Sequence, residues 1–217
     1  MYVDFTEIGP MPLTYGELAL LYRGYKSPHD KIARLAKDGT LIRLKKGLYV
    51  PAPSKKTGVK MVSQDVIAGR LYGPSYISLY YALSLHHYDI IPETVYYTSS
   101  VTTRRSRDIR TPIGWFRYVH VPEDYFHIGV RHESWVGLGY DIASPEKALC
   151  DLIILTPGLR LQSFGAMVEY LEEDIRAVLS DLGEIDFGIF DQVIEVGIKR
   201  REIRLLKEVL LDGRILA

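Results

Sequence analysis

Between Thr14 and Pro51 the chain divides itself into two short helices and a hairpin, and no other stretch limits the choice of fold so tightly. Thr14 and Glu17 have the T-x-x-E spacing of a capping box, in which a hydroxyl and a carboxylate satisfy amides that a helix start leaves unpaired. Leu18, Leu21, Tyr22 and Tyr25 follow at i, i+3, i+4 and i+7, the spacing of one apolar helix face, and Gly24 weakens the end. A second helix opens with Ser27 as its cap, Pro28 in the first helical position and Asp30 completing the box. Gly39 stops it. Ile32, Leu35 and Ala36 form its buried stripe, and a rotation of about 100° per residue sends Asp30, Lys31, Arg34 and Lys37 to the far side. Residues 41–44 alternate as a strand, with Arg43 opposite Ile42 and Leu44. Lys45, Lys46 and Gly47 make a turn, residues 48–50 return, and Pro51 ends the hairpin.

A hairpin tipped by two lysines, directly after a helix exposing three cations, has the order of a winged helix-turn-helix. In that reading Lys31, Arg34 and Lys37 approach a major groove, with Arg34 placed to reach a guanine edge. Arg43, Lys45 and Lys46 lie along phosphates or enter the minor groove. An amphipathic helix with a solvated lysine face would show the same pattern, so the charge distribution matters. The chain is neutral, with 27 basic and 27 acidic residues. Residues 1–60 nevertheless hold eleven basic and five acidic side chains, a net of +6, and the remainder carries −6. A cationic head joined to an anionic body is an electrostatic footprint for phosphate.

The 217 residues suit a small module and a medium one. No apolar run approaches the ~20 residues of a membrane span. The opening MYVDFTEIGP lacks the basic-then-apolar order of a secretory leader, and Cys150 stands alone without a disulfide partner, so a cytoplasmic location is expected. Residues 51–58, rich in breakers, read as a connector between a DNA-binding module over 1–55 and a second domain over 60–217. There, Ser63 caps a helix to about Leu71, Gly73-Pro74 breaks it, and residues 78–87 form another. Strands are expected at 95–99, 115–120, 126–130 and 135–140, with an arginine-rich loop at 102–110. Ser144 and Pro145 start a helix over 146–155, and the last helix, about 199–211, exposes Lys199, Arg200, Arg201, Arg204 and Lys207. The fold class is therefore α+β: an N-terminal winged helix-turn-helix followed by a larger α/β domain with a mixed sheet flanked by helices.

Patterns that would carry chemistry are missing. His86 and His87 are adjacent and diverge by about 100° on a helix, and neither HExxH nor CxxC occurs. No Gly-rich phosphate loop is present. Asp89, Glu93, Asp141, Glu146 and Lys147 do not form the carboxylate-x-lysine triplet of a metal-dependent nuclease. Glu146 suits a helix N-terminus, and Cys150 reads as a core thiol. No catalytic residue, metal or cofactor is expected. Arg104, Arg105, Arg107 and Arg110 stand apart as a second phosphate contact, a contact for an acidic partner, or a solvated hairpin tip.

Three stretches give the chain a family likeness. They are the helix pair ending in Arg43-x-x-x-Gly47-x-Tyr49, the run Pro74-Ser75-Tyr76-Ile77-Ser78-Leu79-Tyr80-Tyr81-Ala82-Leu83, and Ile142-Ala143-Ser144-Pro145-Glu146-Lys147-Ala148-Leu149-Cys150-Asp151-Leu152. With the turn Thr111-Pro112-Ile113-Gly114, these resemble the AbiEi-type antitoxins of type IV toxin–antitoxin systems over most of residues 14–155. The resemblance implies that the winged helix binds inverted repeats in its own promoter and represses it. It further implies that the second domain opposes a nucleotidyltransferase-like toxin without requiring a stable complex. Two alternatives remain: a regulator whose rear domain senses a ligand or an unrelated partner, and a metal-dependent nuclease.

Overall fold

The computed structural model describes residues 5–55, 58–86, 97–175 and 185–212, and these form an α+β fold with a mixed sheet and helices. The front comprises α1 (Phe5–Ile8), β1 (Leu13–Thr14), α2 (Tyr15–Leu21), α3 (Pro28–Lys37), β2 (Leu41–Lys45) and β3 (Leu48–Pro51). The three strands form an antiparallel sheet in the order β1-β3-β2. The capping box at Thr14 is made in full: its hydroxyl accepts from Glu17 N, and the Glu17 carboxylate accepts from Thr14 N at 2.6 Å. Leu18 from α2 and Tyr22 just after it meet Ile32 and Leu35 from α3 and Leu41 from β2 in a small apolar cluster.

The rear comprises α4 (Gln64–Leu71), β4 (Ser75–Ile77), α5 (Leu79–Leu85), β5 (Thr98–Thr102), β6 (Arg107–Thr111), β7 (Gly114–His120), α6 (Glu123–Phe126), β8 (Val130–Trp135), β9 (Leu138–Ala143) and α7 (Pro145–Leu155). Then follow α8 (Phe164–Glu169), a π-helical turn at Tyr170–Ile175, α9 (Phe187–Val196) and α10 (Arg200–Asp212). Six strands form one sheet in the order β6-β7-β5-β4-β9-β8, parallel at β5–β7 and β4–β9 and antiparallel elsewhere. Tyr118 on β7 donates to Ala68 O of α4, whereas Tyr76 on β4 reaches Asp151 of α7. The two helices therefore cover opposite faces. α7 is buried on every side from Pro145 to Ile153, which makes it the axis of the rear core.

The front and rear share the hairpin. Leu41 joins the front cluster, while Leu44, Leu48 and Val50 belong to the rear core. Strand alternation puts Leu41 and Leu44, three residues apart, on opposite faces of β2, so each meets a different cluster, and a register shift between Arg43 and Lys45 follows next to the turn. Beyond the hairpin, Ser54 N donates to Val59 O at 3.0 Å. Val59 turns back into the front cluster, and Val62 enters the rear core. No described helix is long and apolar enough to cross a membrane.

Several expected elements are corrected. The strand expected at 126–130 does not form: Phe126 ends a helical turn, α6, that Pro122 caps and that is buried through Tyr125 and Phe126, residues 127–129 turn, and Val130 opens β8. The chain reverses at Gly129, with φ +61°, so close to Lys147 that a Cβ there would collide with it. The strand expected at 135–140 is two strands, because Val136 and Gly137 both take positive φ (50° and 76°), as a tight two-residue hairpin turn requires. Arg107 and Arg110 of the loop expected at 102–110 instead belong to the edge strand β6, held by an Asp108–Arg117 pair across to β7, while Arg104 and Arg105 lie in the turn before it. The short strand β4 was not anticipated. Val95 and Tyr96 of the strand expected at 95–99, His87 of the helix expected at 78–87, and Asp89 and Glu93 lie outside the described residues.

Candidate functional site

α3 starts with half of the expected capping box: the Ser27 amide makes no bond to the Asp30 carboxylate, which meets His29 instead. The Ser27 hydroxyl accepts from Asp30 N, Pro28 occupies the first turn, and Ile32 and Leu35 anchor the inner face. Arg34 and Lys37 are exposed on the outer face. Lys31 does not join them. It is half-buried on the flank, its ammonium 5.3 Å from the Tyr25 ring centroid and 5.9 Å from that of Tyr22, in cation–π range. Bonds from the Thr40 hydroxyl and amide hold the Asp38 carboxyl below the usual carboxylate range, helped by the nearby charges of Arg34 and Lys31. Asp38 thus rests on Thr40 at the helix end rather than in an ion pair across α3.

The hairpin separates its two lysines. Lys46 sits with Gly47 (φ +80°) in the turn and is exposed, as is Arg43 on β2. Lys45 belongs to β2, and its ammonium donates to Leu71 O of α4 at 2.5 Å. Only one lysine therefore occupies the tip. Partial burial, then the charges of Arg104 and Arg107, push the Lys45 ammonium below its ordinary pKa. Two residue groups that are about sixty positions apart in sequence thus converge beside the hairpin turn.

The arginines at that junction are held in place. Arg104 and Arg107 lie 5.3 and 5.9 Å from the Tyr72 ring centroid, the Tyr72 hydroxyl donates to Arg105 O, and the His120 ring Nδ1 is 3.0 Å from Arg104 O. Arg104, Arg105 and Arg107 remain exposed. Arg110 belongs to the other face of β6, its guanidinium 4.6 Å from the Trp115 ring centroid. Lys45, Arg104 and Arg107 form one cationic junction, and among the described residues no ion pair with a carboxylate involves any of the three. Like charges gathered without a counter-charge favour an incoming anion.

The cations of the last helix are mostly engaged in structure. Lys199 is not exposed as expected: at φ 43° it precedes α10 and donates to Ile153 O, Leu159 O and Thr156 O, closing the C-terminal end of α7. Arg200 donates to Ile194 O, Arg201 to Gln162 O, and Lys207 to Asp191.

Sequence reasoning missed a buried polar cluster around α7. Asp151 accepts from Tyr125 OH at 2.6 Å, Ser78 Oγ at 2.5 Å and Tyr76 OH at 3.0 Å. Lys147, one turn earlier, donates to Tyr125 O and lies 3.3 Å from Asp151, and both side chains are fully buried. Burial pushes the Lys147 ammonium down, and Asp151 opposes that shift. Glu146 does more than favour a helix start, since its Oε1 accepts from Asp186 N at 3.0 Å. The signal was legible: a lysine and an aspartate at i and i+4 in an otherwise apolar helix must face each other wherever they are buried. Cys150 is fully buried, as a core thiol should be. No protein-family model and no curated protein sequence matches this chain.

Proposed function

We propose that this chain is a DNA-binding transcriptional autorepressor that reads inverted repeats with a winged helix-turn-helix and acts as the antitoxin of a type IV toxin–antitoxin system. The observation that carries the DNA reading is the exposed Arg34–Lys37 face of α3 together with the exposed Lys46 of the hairpin turn, and with Lys45, Arg104 and Arg107 gathered next to that turn. Arg34 reads base edges, Lys37 and Lys46 hold phosphates, and the junction carries the backbone track onto the edge strand β6. The antitoxin role rests on the resemblance carried by residues 74–83 and 142–152. In this reading those residues build the framework of the rear module, with β4, α5 and the sealed Asp151–Lys147 cluster, and they perform no chemistry. The partners are promoter DNA and, functionally, a nucleotidyltransferase-like toxin.

The test is a binding titration with DNA from upstream of the gene, across a salt series. Arg34→Ala with Lys37→Ala abolishes sequence preference. Lys46→Ala weakens binding to all sequences alike and reduces the slope of log affinity against log salt by about 0.9. Native affinity and preference in the Arg34/Lys37 variant would overturn the groove assignment. The antitoxin role is tested by co-expression with the neighbouring toxin, where failure to restore growth counts against it. A second reading, a regulator whose rear module senses a small ligand, is favoured by a cavity in the rear sheet.

A further inference from the structure

That cavity, about 520 Å³, lies on the α7 side of strands β5, β7 and β6. Its volume falls within the range of about 300–1,000 Å³ typical of small-molecule sites. One wall is apolar, from Leu79, Leu152, Leu155 and Pro157. The other is a layered stack. The Arg117 guanidinium lies 4.4 Å from the Tyr97 ring centroid, donates from Nη1 to Tyr97 OH at 2.9 Å, and is clamped from Nε and Nη2 by Asp108 at 3.2 and 3.4 Å. Three of its five N–H groups are thus engaged and two are left to donate elsewhere. Residues 104–117 contain five arginines and a single acidic residue, Asp108, so the potential at this edge is positive.

We propose that the cavity binds a planar aromatic ligand carrying one carboxylate, its ring on the leucine wall beside the Tyr97–Arg117 stack, its carboxylate in the guanidinium plane on the two remaining Arg117 N–H groups. A flat polar plane facing an aliphatic wall selects a ring, and the arginine-rich edge selects an anion. The site also adjoins the cationic junction. On β6, Asp108 faces the cavity, while its neighbour Arg107 projects to the other side of the sheet, beside Tyr72 and Lys45. A second carboxylate that shares the Arg117 guanidinium with Asp108 draws it partly from Asp108, loosens the β6–β7 clamp next to Arg107 and weakens the hold on DNA. This last step rests on the DNA-binding reading; the ligand site does not.

The experiment is calorimetric titration of the full chain with benzoate and indole-3-acetate, against benzamide, cyclohexanecarboxylate and adenosine monophosphate. The aromatic acids bind, and benzamide and cyclohexanecarboxylate bind at least about tenfold more weakly. Arg117→Gln and Leu155→Trp, the second filling the cavity without touching the stack, each weaken the acids by about tenfold or more. Circular dichroism and a thermal melt establish that at least one variant is folded. Equal binding of acid and amide, native binding by a folded variant, or tighter binding of the nucleotide than of either acid overturns the assignment. Promoter affinity measured with saturating acid falls severalfold, and an unchanged value refutes the coupling. A chain that binds the acids but no DNA refutes the DNA reading and leaves the site standing.

Discussion

The residue that most depends on its surroundings is Asp151. Three hydroxyls and a lysine converge on one carboxylate with no water-accessible surface. Such a pair is costly to assemble, and removing one member costs more, because the other charge stays buried and unpaired. Asp151→Ala is therefore expected to destabilise the fold by about 3–5 kcal/mol in a urea titration, with Lys147→Met in the same chain recovering part of the loss. The tyrosines around the core make a second prediction. Burial raises the pKa of Tyr76, Tyr81, Tyr118, Tyr125 and Tyr170 above the ordinary value of 10.0. The unfolded chain loses these protons first. Their contribution is intact below the ordinary value and is lost as the pH climbs from there through the folded values. Alkaline unfolding should thus coincide with an abrupt rise in tyrosinate absorbance, whereas gradual ionisation of a chain that stays folded would contradict these burials. Glu17 works in the opposite direction. Its carboxyl is held below the ordinary 4.5 by the Thr14 amide and hydroxyl, so its cap is present above that value and is lost as the pH falls through the folded one.

At the scale of elements, turns and bulges decided where the strands went. Val136 is exposed and β-branched, yet adopts φ 50° at the β8–β9 turn, a conformation that L-residues with branched Cβ atoms resist. Val136→Asn keeps the turn and relieves that strain. It should stabilise the chain by about 1 kcal/mol, read as a higher Tm, and a lower Tm would show that Val136 makes contacts worth more than its strain. The front helices were legible because their signals are local: Thr14, Ser27 and Pro28 act within one turn of themselves. The β8–β9 turn was missed because Val-Gly is a weak hairpin signal beside Asn-Gly, and α6 because Tyr125 and Phe126 read as strand residues until Pro122 and Gly129 are placed. Lys31 fell on the outer face of a helical wheel but is drawn to the flank by Tyr22 and Tyr25 of the turn between α2 and α3, a contact that no single-helix projection contains.

At the scale of the whole molecule, the hairpin joins the two halves. Leu44, Leu48 and Val50 are buried in the rear core, and Lys45 is tied to Leu71. A fragment of residues 1–55 would expose those three side chains to water, at roughly 1.5–3 kcal/mol for each large apolar group, a loss comparable to the stability of a small domain. The isolated fragment is therefore expected to be unfolded or aggregated, and the full chain to unfold in one transition that coincides by far-UV circular dichroism and tryptophan fluorescence. Two separated transitions would show that the halves are energetically independent. A shared hairpin also means that the rear sheet sets the position of the cationic strand β2 relative to β6.

The amino-acid sequence alone determined the order of the front elements, the amphipathic sides of α3 and α10, the apolar helix α7 and the division of charge between head and body, because each depends on residues within a few positions of one another. The tertiary structure decided which cations remain available. It drew Lys31 onto tyrosines, Lys199 onto three carbonyls and Lys147 into a sealed cluster, and it brought Lys45 beside Arg104 and Arg107. The reason is physical: a charged group's surroundings are set by whichever distant segments pack against it, and spacing along the chain carries no record of them.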